Sequence, residues 1–76
     1  MKAKHVAGFR LEAQATLKNM NIALGQDFHT LSLDQVDKLV AEAARVGYRK
    51  PKNANGSTAR YFHDRLQRHA TMKDKN

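Results

Sequence analysis

Between Ser32 and Gly47 the apolar residues Leu33, Val36, Leu39, Val40, Ala43 and Val46 recur at steps of three and four. That spacing lines side chains along one face of an α-helix. No other stretch restricts the fold as tightly, because both of its ends are marked. Ser32 followed by Leu33, Asp34 and Gln35 fits a capping box, in which the serine oxygen accepts from an orphan amide while the glutamine side chain reaches back to the cap. Asp34 and Asp37 occupy the first turns and Arg45 the last, the arrangement a helix dipole favours. Gly47 then stops the run, since glycine takes the left-handed backbone that ends many helices. A helix over 32–46 is the expectation.

The same periodicity, less sharply bounded, flanks it on either side. Val6, Phe9, Ala13, Leu17 and Met20 form one stripe of a helix over about 3–20, and no proline interrupts them. Gly8 within this run costs about 1 kcal/mol against alanine, so a late start or frayed first turns are expected. From Asn21 to Leu31, turn formers (Asn21, Gly25, Asp27) mix with Ile22, Leu24, Phe28 and Leu31, whose apolar side chains should fold back on the core. Pro51 biases Lys50 away from helix and Asn55-Gly56 is a turn dipeptide, so residues 48–56 read as an exposed loop. Ser57 or Thr58 can cap a third helix to about Thr71, with Ala59, Phe62, Leu66 and Ala70 inward, His69 at the margin, and Arg60, Tyr61, Asp64 and Arg68 outward. Pairs Arg60–Asp64 and Asp64–Arg68, four apart, would brace the outer face.

These elements make an all-α fold, a small three-helix domain over residues 1–71 with a long basic loop between the second and third helices and a polar tail at 72–76. A connection of about ten residues is too long for a helix-turn-helix. With 76 residues and no cysteine, a single modest core has neither disulfides nor thiolate metal sites to reinforce it. Dimerisation through the first helix, giving a homodimer, would complete such a core. No apolar run reaches membrane-span length and the N-terminus lacks a signal-peptide pattern, which points to a cytoplasmic protein with no membrane partner.

Charge divides the chain unevenly. Residues 1–44 hold five Lys or Arg against five acids, whereas residues 45–76 hold nine (Arg45, Arg49, Lys50, Lys52, Arg60, Arg65, Arg68, Lys73, Lys75) against Asp64 and Asp74. The entire net charge of +7 therefore lies in the last 32 residues. Clustered charge raises the local concentration of an oppositely charged partner without helping the fold. That partner should be anionic.

Two candidate sites follow. At the joint between loop and third helix, Ser57 and Thr58 open a helix whose unpaired amides attract anions, and Arg49, Lys50, Lys52 and Arg60 surround it. Along the third helix, Arg60, Arg65 and Arg68 can grip phosphates while Tyr61, or Tyr48 from the loop, stacks on an unpaired base or under a guanidinium. The plainer alternatives are a capped turn with solvated lysines and a solvated helix face. Four histidines do not make a metal site: His63 and His69 are six apart, about 240° around a helix, and His5 and His29 lie elsewhere. His63 beside Asp64 hints at acid–base chemistry, but helix neighbours point apart and no nucleophile accompanies them. Residues 53–58 lack the lysine of a phosphate-binding Walker loop. Neither an enzyme nor any cofactor is expected.

The block from Gly47 to Ser57, with Arg60-Tyr61-Phe62 and Leu66-Gln67-Arg68 behind it, resembles a segment of short, uncharacterised accessory proteins of proteobacteria and of their phages and plasmids. The likeness covers about residues 32–70 and brings no activity with it. It implies a mobile-element or accessory protein in a bacterial cytoplasm, with the loop and third helix as the shared signature.

The expectation is thus a non-catalytic nucleic-acid-binding protein, its partner DNA or RNA. Engagement of four to six of the cations would give a salt slope of about −3 to −5 in log units. The alternative is a phage- or plasmid-encoded protein that inhibits or modulates host nucleic-acid machinery by docking on an acidic protein surface.

Overall fold

The computed structural model describes residues 2–54 and 56–72, with side chains from Arg10 onward. It contains three α-helices, α1 (Lys2–Asn19), α2 (Leu33–Arg45) and α3 (Thr58–Thr71), and one 3-10 turn at Phe28–Thr30. The fold is the small all-α, three-helix domain expected from the periodicity. Ser32, Val46 and Ser57 are the caps flanking α2 and α3 rather than members of them. Helix α1 runs without a break from Lys2 through Gly8, so the glycine does not delay it; one costly residue is small against 18 formed ones. The side chains of Val6 and Phe9, together with Asn55 of the turn dipeptide and 73–76 of the tail, lie outside what is described.

The C-terminal ends of α1 and α2 are built from local hydrogen bonds. Asn21, at φ 58°, is the left-handed residue after α1. Its amide donates to Lys18 O at 2.9 Å, and that of Ile22 to Leu17 O at 2.9 Å. The same paired pattern closes α2: Gly47 sits at φ 74°, its amide donates to Ala44 O at 3.2 Å and that of Tyr48 to Ala43 O at 2.9 Å. This geometry turns the residue after the glycine back towards the helix it has just left, and an apolar residue there gains a contact. Tyr48 is that residue.

The helices are organised around α3. It packs against α1, against α2 and against the 3-10 turn, while no comparable packing joins α1 to α2 among the described residues. The core consists of Ala13, Leu17 and Met20 from α1, Ile22 from the connection, Leu39 and Ala43 from α2, and Ala59, Phe62 and Ala70 from α3. Phe28, Leu31, Val36, Tyr48 and Leu66 pack at its margin. Glutamines fasten the connections to this frame. Gln67 Nε2 donates to Ala23 O at 3.0 Å while its Oε1 accepts from Gly25 N; Gln14 Nε2 donates to Ala70 O and Gln35 Nε2 to Asn21 O.

Three expectations about burial fail. Leu33, Val46 and Val40 of the α2 stripe are 84%, 53% and 46% exposed, because the packing covers the middle of the stripe, Leu39 and Ala43, and stops short of these positions. Leu24 is exposed as well; the Gln67 clamp holds the backbone of 23–25 against α3 without sinking this side chain. His63, assigned to no inward position, is buried to 2% exposure.

Candidate nucleic-acid interface

Capping by serine begins both α2 and α3, yet the two N-termini are finished differently. At α2 the box predicted from sequence is complete: Ser32 Oγ accepts from Gln35 N, Gln35 Oε1 accepts from Ser32 N, and Asp34 adds an acid to the first turn. At α3, Ser57 Oγ accepts from Arg60 N at 3.2 Å, the first turn holds no acid, and arginine stands where α2 has glutamine. The positive end of α3 is thus left uncompensated. The aliphatic stem of Arg60 lies across Gly56, whose backbone at φ 88° presents no side chain to obstruct it.

Along α3, Arg60, Arg65 and Arg68 are all exposed, and helical periodicity places them within an arc of about 140°. No acid pairs with them among the described residues. The ion pairs among the described residues are Lys38–Asp34 and Arg45–Glu42 within α2, and His63–Asp64 at 3.3 Å. The expected Arg60–Asp64–Arg68 ladder is therefore absent among these residues: the Asp64 carboxylate turns to the His63 Nδ1 instead. That contact also corrects the expectation that these neighbours point apart. The His63 ring is enclosed, its centroid 5.6 Å from that of Phe28 and its Nε2 buried without a hydrogen-bond partner among the described residues.

In the loop, Arg49 and Lys52 are exposed. Lys50 is not a free cation. Its half-buried ammonium donates to Ala54 O at 3.1 Å, across a turn in which Ala54 N donates to Pro51 O at 3.1 Å, so it braces the loop. Nothing in the sequence signals this bond. By contrast the side chains of Arg49, Lys52, Arg60 and Arg68 form no hydrogen bond or ion pair among the described residues.

Tyr48 joins the loop to α3. Its ring lies 5.0 Å from Phe62 and 6.0 Å from Tyr61 between centroids, and the Arg65 guanidinium sits over it at 5.2 Å. Each is a favourable spacing for aromatic or cation–π contact. The phenol oxygen is buried and has no hydrogen-bond partner among the described residues. Burial pushes its ionisation up, and Arg65, close by but without an acceptable bonding geometry, draws it part of the way back. Tyr61 is half-buried and Thr58 likewise, while Ser57 is exposed.

His69 reports how crowded with positive charge this side of α3 is. Its ionisation is lowered below the ordinary 6.5, first by burial and then by the charges of Arg65 and Arg68. Glu42, on α2, shows the opposite situation: a hydrogen bond from Arg45, 3.0 Å from its Nε, holds the carboxyl below the ordinary range against a smaller effect of burial. The structure therefore brings together Tyr48, Tyr61 and Arg65, and sets Arg60 at the loop's end, with Arg68 on the same helix face.

No helix among the described residues is long and apolar enough to cross a membrane, and no group of three or more His, Asp or Glu is placed to hold a metal ion among them. No protein-family model, curated protein or solved structure matches this chain.

Proposed function

We propose that this chain is a non-catalytic nucleic-acid-binding protein that grips the phosphate backbone with Arg60, Arg65 and Arg68 of α3 and with Arg49 and Lys52 of the preceding loop. The observation that carries this reading is the absence of acid partners for the α3 arginines among the described residues, on a helix whose first turn also lacks an acid. Guanidinium groups already paired with carboxylates would have to break those pairs before taking a phosphate; these do not. Ser57 and Thr58 add the positive end of the helix. Lys50 contributes by shaping the loop. In keeping with its resemblance to phage and plasmid accessory proteins, the chain would act in a bacterial cytoplasm.

The test is a titration of labelled DNA and RNA at several salt concentrations, with a variant carrying Arg49, Lys52, Arg60 and Arg68 all changed to glutamine. Four engaged cations give a slope of about −3 to −4 in log units. The variant should fold as the parent does and bind at least about a hundredfold more weakly at low salt. A flat salt dependence, or a variant that binds as well as the parent, refutes the reading.

A second reading is favoured by one observation, the exposure of Leu33, Val40 and Val46 along α2. Exposed apolar side chains on a charged protein suit a protein partner, and a chain that docks on nucleic-acid machinery would use both surfaces. Capture of a partner from a nuclease-treated bacterial lysate, lost on changing Leu33 and Val40 to serine, would favour it.

A further inference from the structure

The contacts around Tyr48 say which form of nucleic acid fits, provided the nucleic-acid reading above holds. Tyr48 itself is not available to a ligand: Phe62, Tyr61 and the Arg65 guanidinium lie around its ring and its hydroxyl is buried. It is a foundation. Tyr61 leans on it at an interplanar angle of 34° and remains partly exposed, and the Arg65 guanidinium sits over the same ring at 5.2 Å. Tyr61, Arg65 and Arg68 stand at i, i+4 and i+7, one line down the helix. The result is a supported aromatic ring with cations following it at about 6 Å and 10 Å along the axis.

We infer that the partner is single-stranded, with an unpaired base stacking on Tyr61 while Arg65 and Arg68 hold the phosphates beside it. A ring already fixed by packing loses little freedom on binding, and every base has a face to offer it. In a duplex the bases cover each other, so the ring would have nothing to stack on.

Fluorescence anisotropy with an unstructured oligothymidine of about a dozen nucleotides, and with a hairpin duplex of equal phosphate content, tests this directly. The single strand should bind about tenfold more tightly or better at matched salt. Tyr61→Leu, which keeps apolar bulk but no ring, should lose about tenfold on the single strand and less than about twofold on the duplex, and Tyr61→Phe should stay within about twofold of the parent on both. Equal or tighter duplex binding, or an equal effect of Tyr61→Leu on both ligands, overturns the inference while leaving the nucleic-acid reading standing. Binding of neither ligand overturns both.

A second measurement does not depend on how Tyr61→Leu folds. The chain has two tyrosines and no tryptophan, so Tyr48→Phe leaves Tyr61 as the single tyrosine emitter on an aromatic foundation that still supports Arg65. Its emission should be quenched by the single strand and not by the duplex. Quenching by both or by neither counts against stacking.

Discussion

Helices α2 and α3 are nearly equal in length, 13 and 14 residues, and both start from a serine cap, yet they dispose of charge and apolar surface in opposite ways. Helix α2 pairs its charges within itself, Lys38 with Asp34 and Arg45 with Glu42, and leaves apolar side chains in solvent. Helix α3 buries Ala59, Phe62, His63 and Ala70 and leaves arginines in solvent without acids paired to them among the described residues. The difference teaches that position in the packing, rather than amphipathic pattern, decides what a helix can expose. As the helix touched by both others, α3 has Ala59, Phe62 and Ala70 buried and Leu66 at the core's margin, which frees its outer face to carry charge.

The comparison can be broken most severely at Leu39, the α2 side chain that lies fully buried against this arrangement. Leu39→Ala should lower unfolding free energy by about 2–5 kcal/mol in a denaturant titration; a loss below about 1 kcal/mol would mean that α2 is not packed as described. Next in size, Gly47→Ala should cost about 1–2 kcal/mol. The added methyl meets no atom within 4 Å, so that loss would measure the left-handed backbone alone. Arg60→Glu sharpens the contrast by giving α3 the acidic first turn that α2 has. Thermal melts should show a gain of about 0.3–1 kcal/mol, while nucleic-acid binding weakens because two units of charge are removed from the site.

A smaller effect follows from His69. Its folded-state ionisation lies below 6.5, so the unfolded chain takes up the proton first as the pH falls. The associated stability is fully present above pH 6.5 and declines below it until the folded state also protonates. Melting temperatures measured from pH 8 to 5 should show this decline, and the difference from His69→Gln should isolate it. Smallest of all, Leu33→Ala should change stability by no more than about 0.5 kcal/mol, since its side chain is solvated already.

Local signals explain what the sequence disclosed. Ser32 with Gln35, Gly47 and Ser57 are punctuation whose chemistry acts within a few residues, so the limits of α2 and α3 could be read to the cap. The side of α3 that faces out was legible for the same reason at Arg60, Asp64 and Arg68, whereas Tyr61, expected there as well, is half-buried against Tyr48. What depends on partners distant in the chain was not. Six apolar positions on α2 predict a broad buried stripe, but how much of it is covered depends on the number of neighbouring helices. A histidine counts as polar in any periodicity argument, so His63 was overlooked although the ring packs like an aromatic. Lys50 was read as a cation because its bond to Ala54 O exists only once the loop has closed. Tyr48 had a usable signal: it follows the glycine of a helix stop, where an apolar side chain characteristically folds back.

That the central helix is the last of the three in the chain bears on how the molecule is made. Until α3 has been synthesised, α1 and α2 lack the helix that each packs against, and Gln14 and the 23–25 backbone await partners more than 40 residues away. The chain should therefore become structured in one late, all-or-none step, with no stable half-product on the way. A cut in the 48–56 loop would leave two fragments that are unstructured apart and ordered only when mixed.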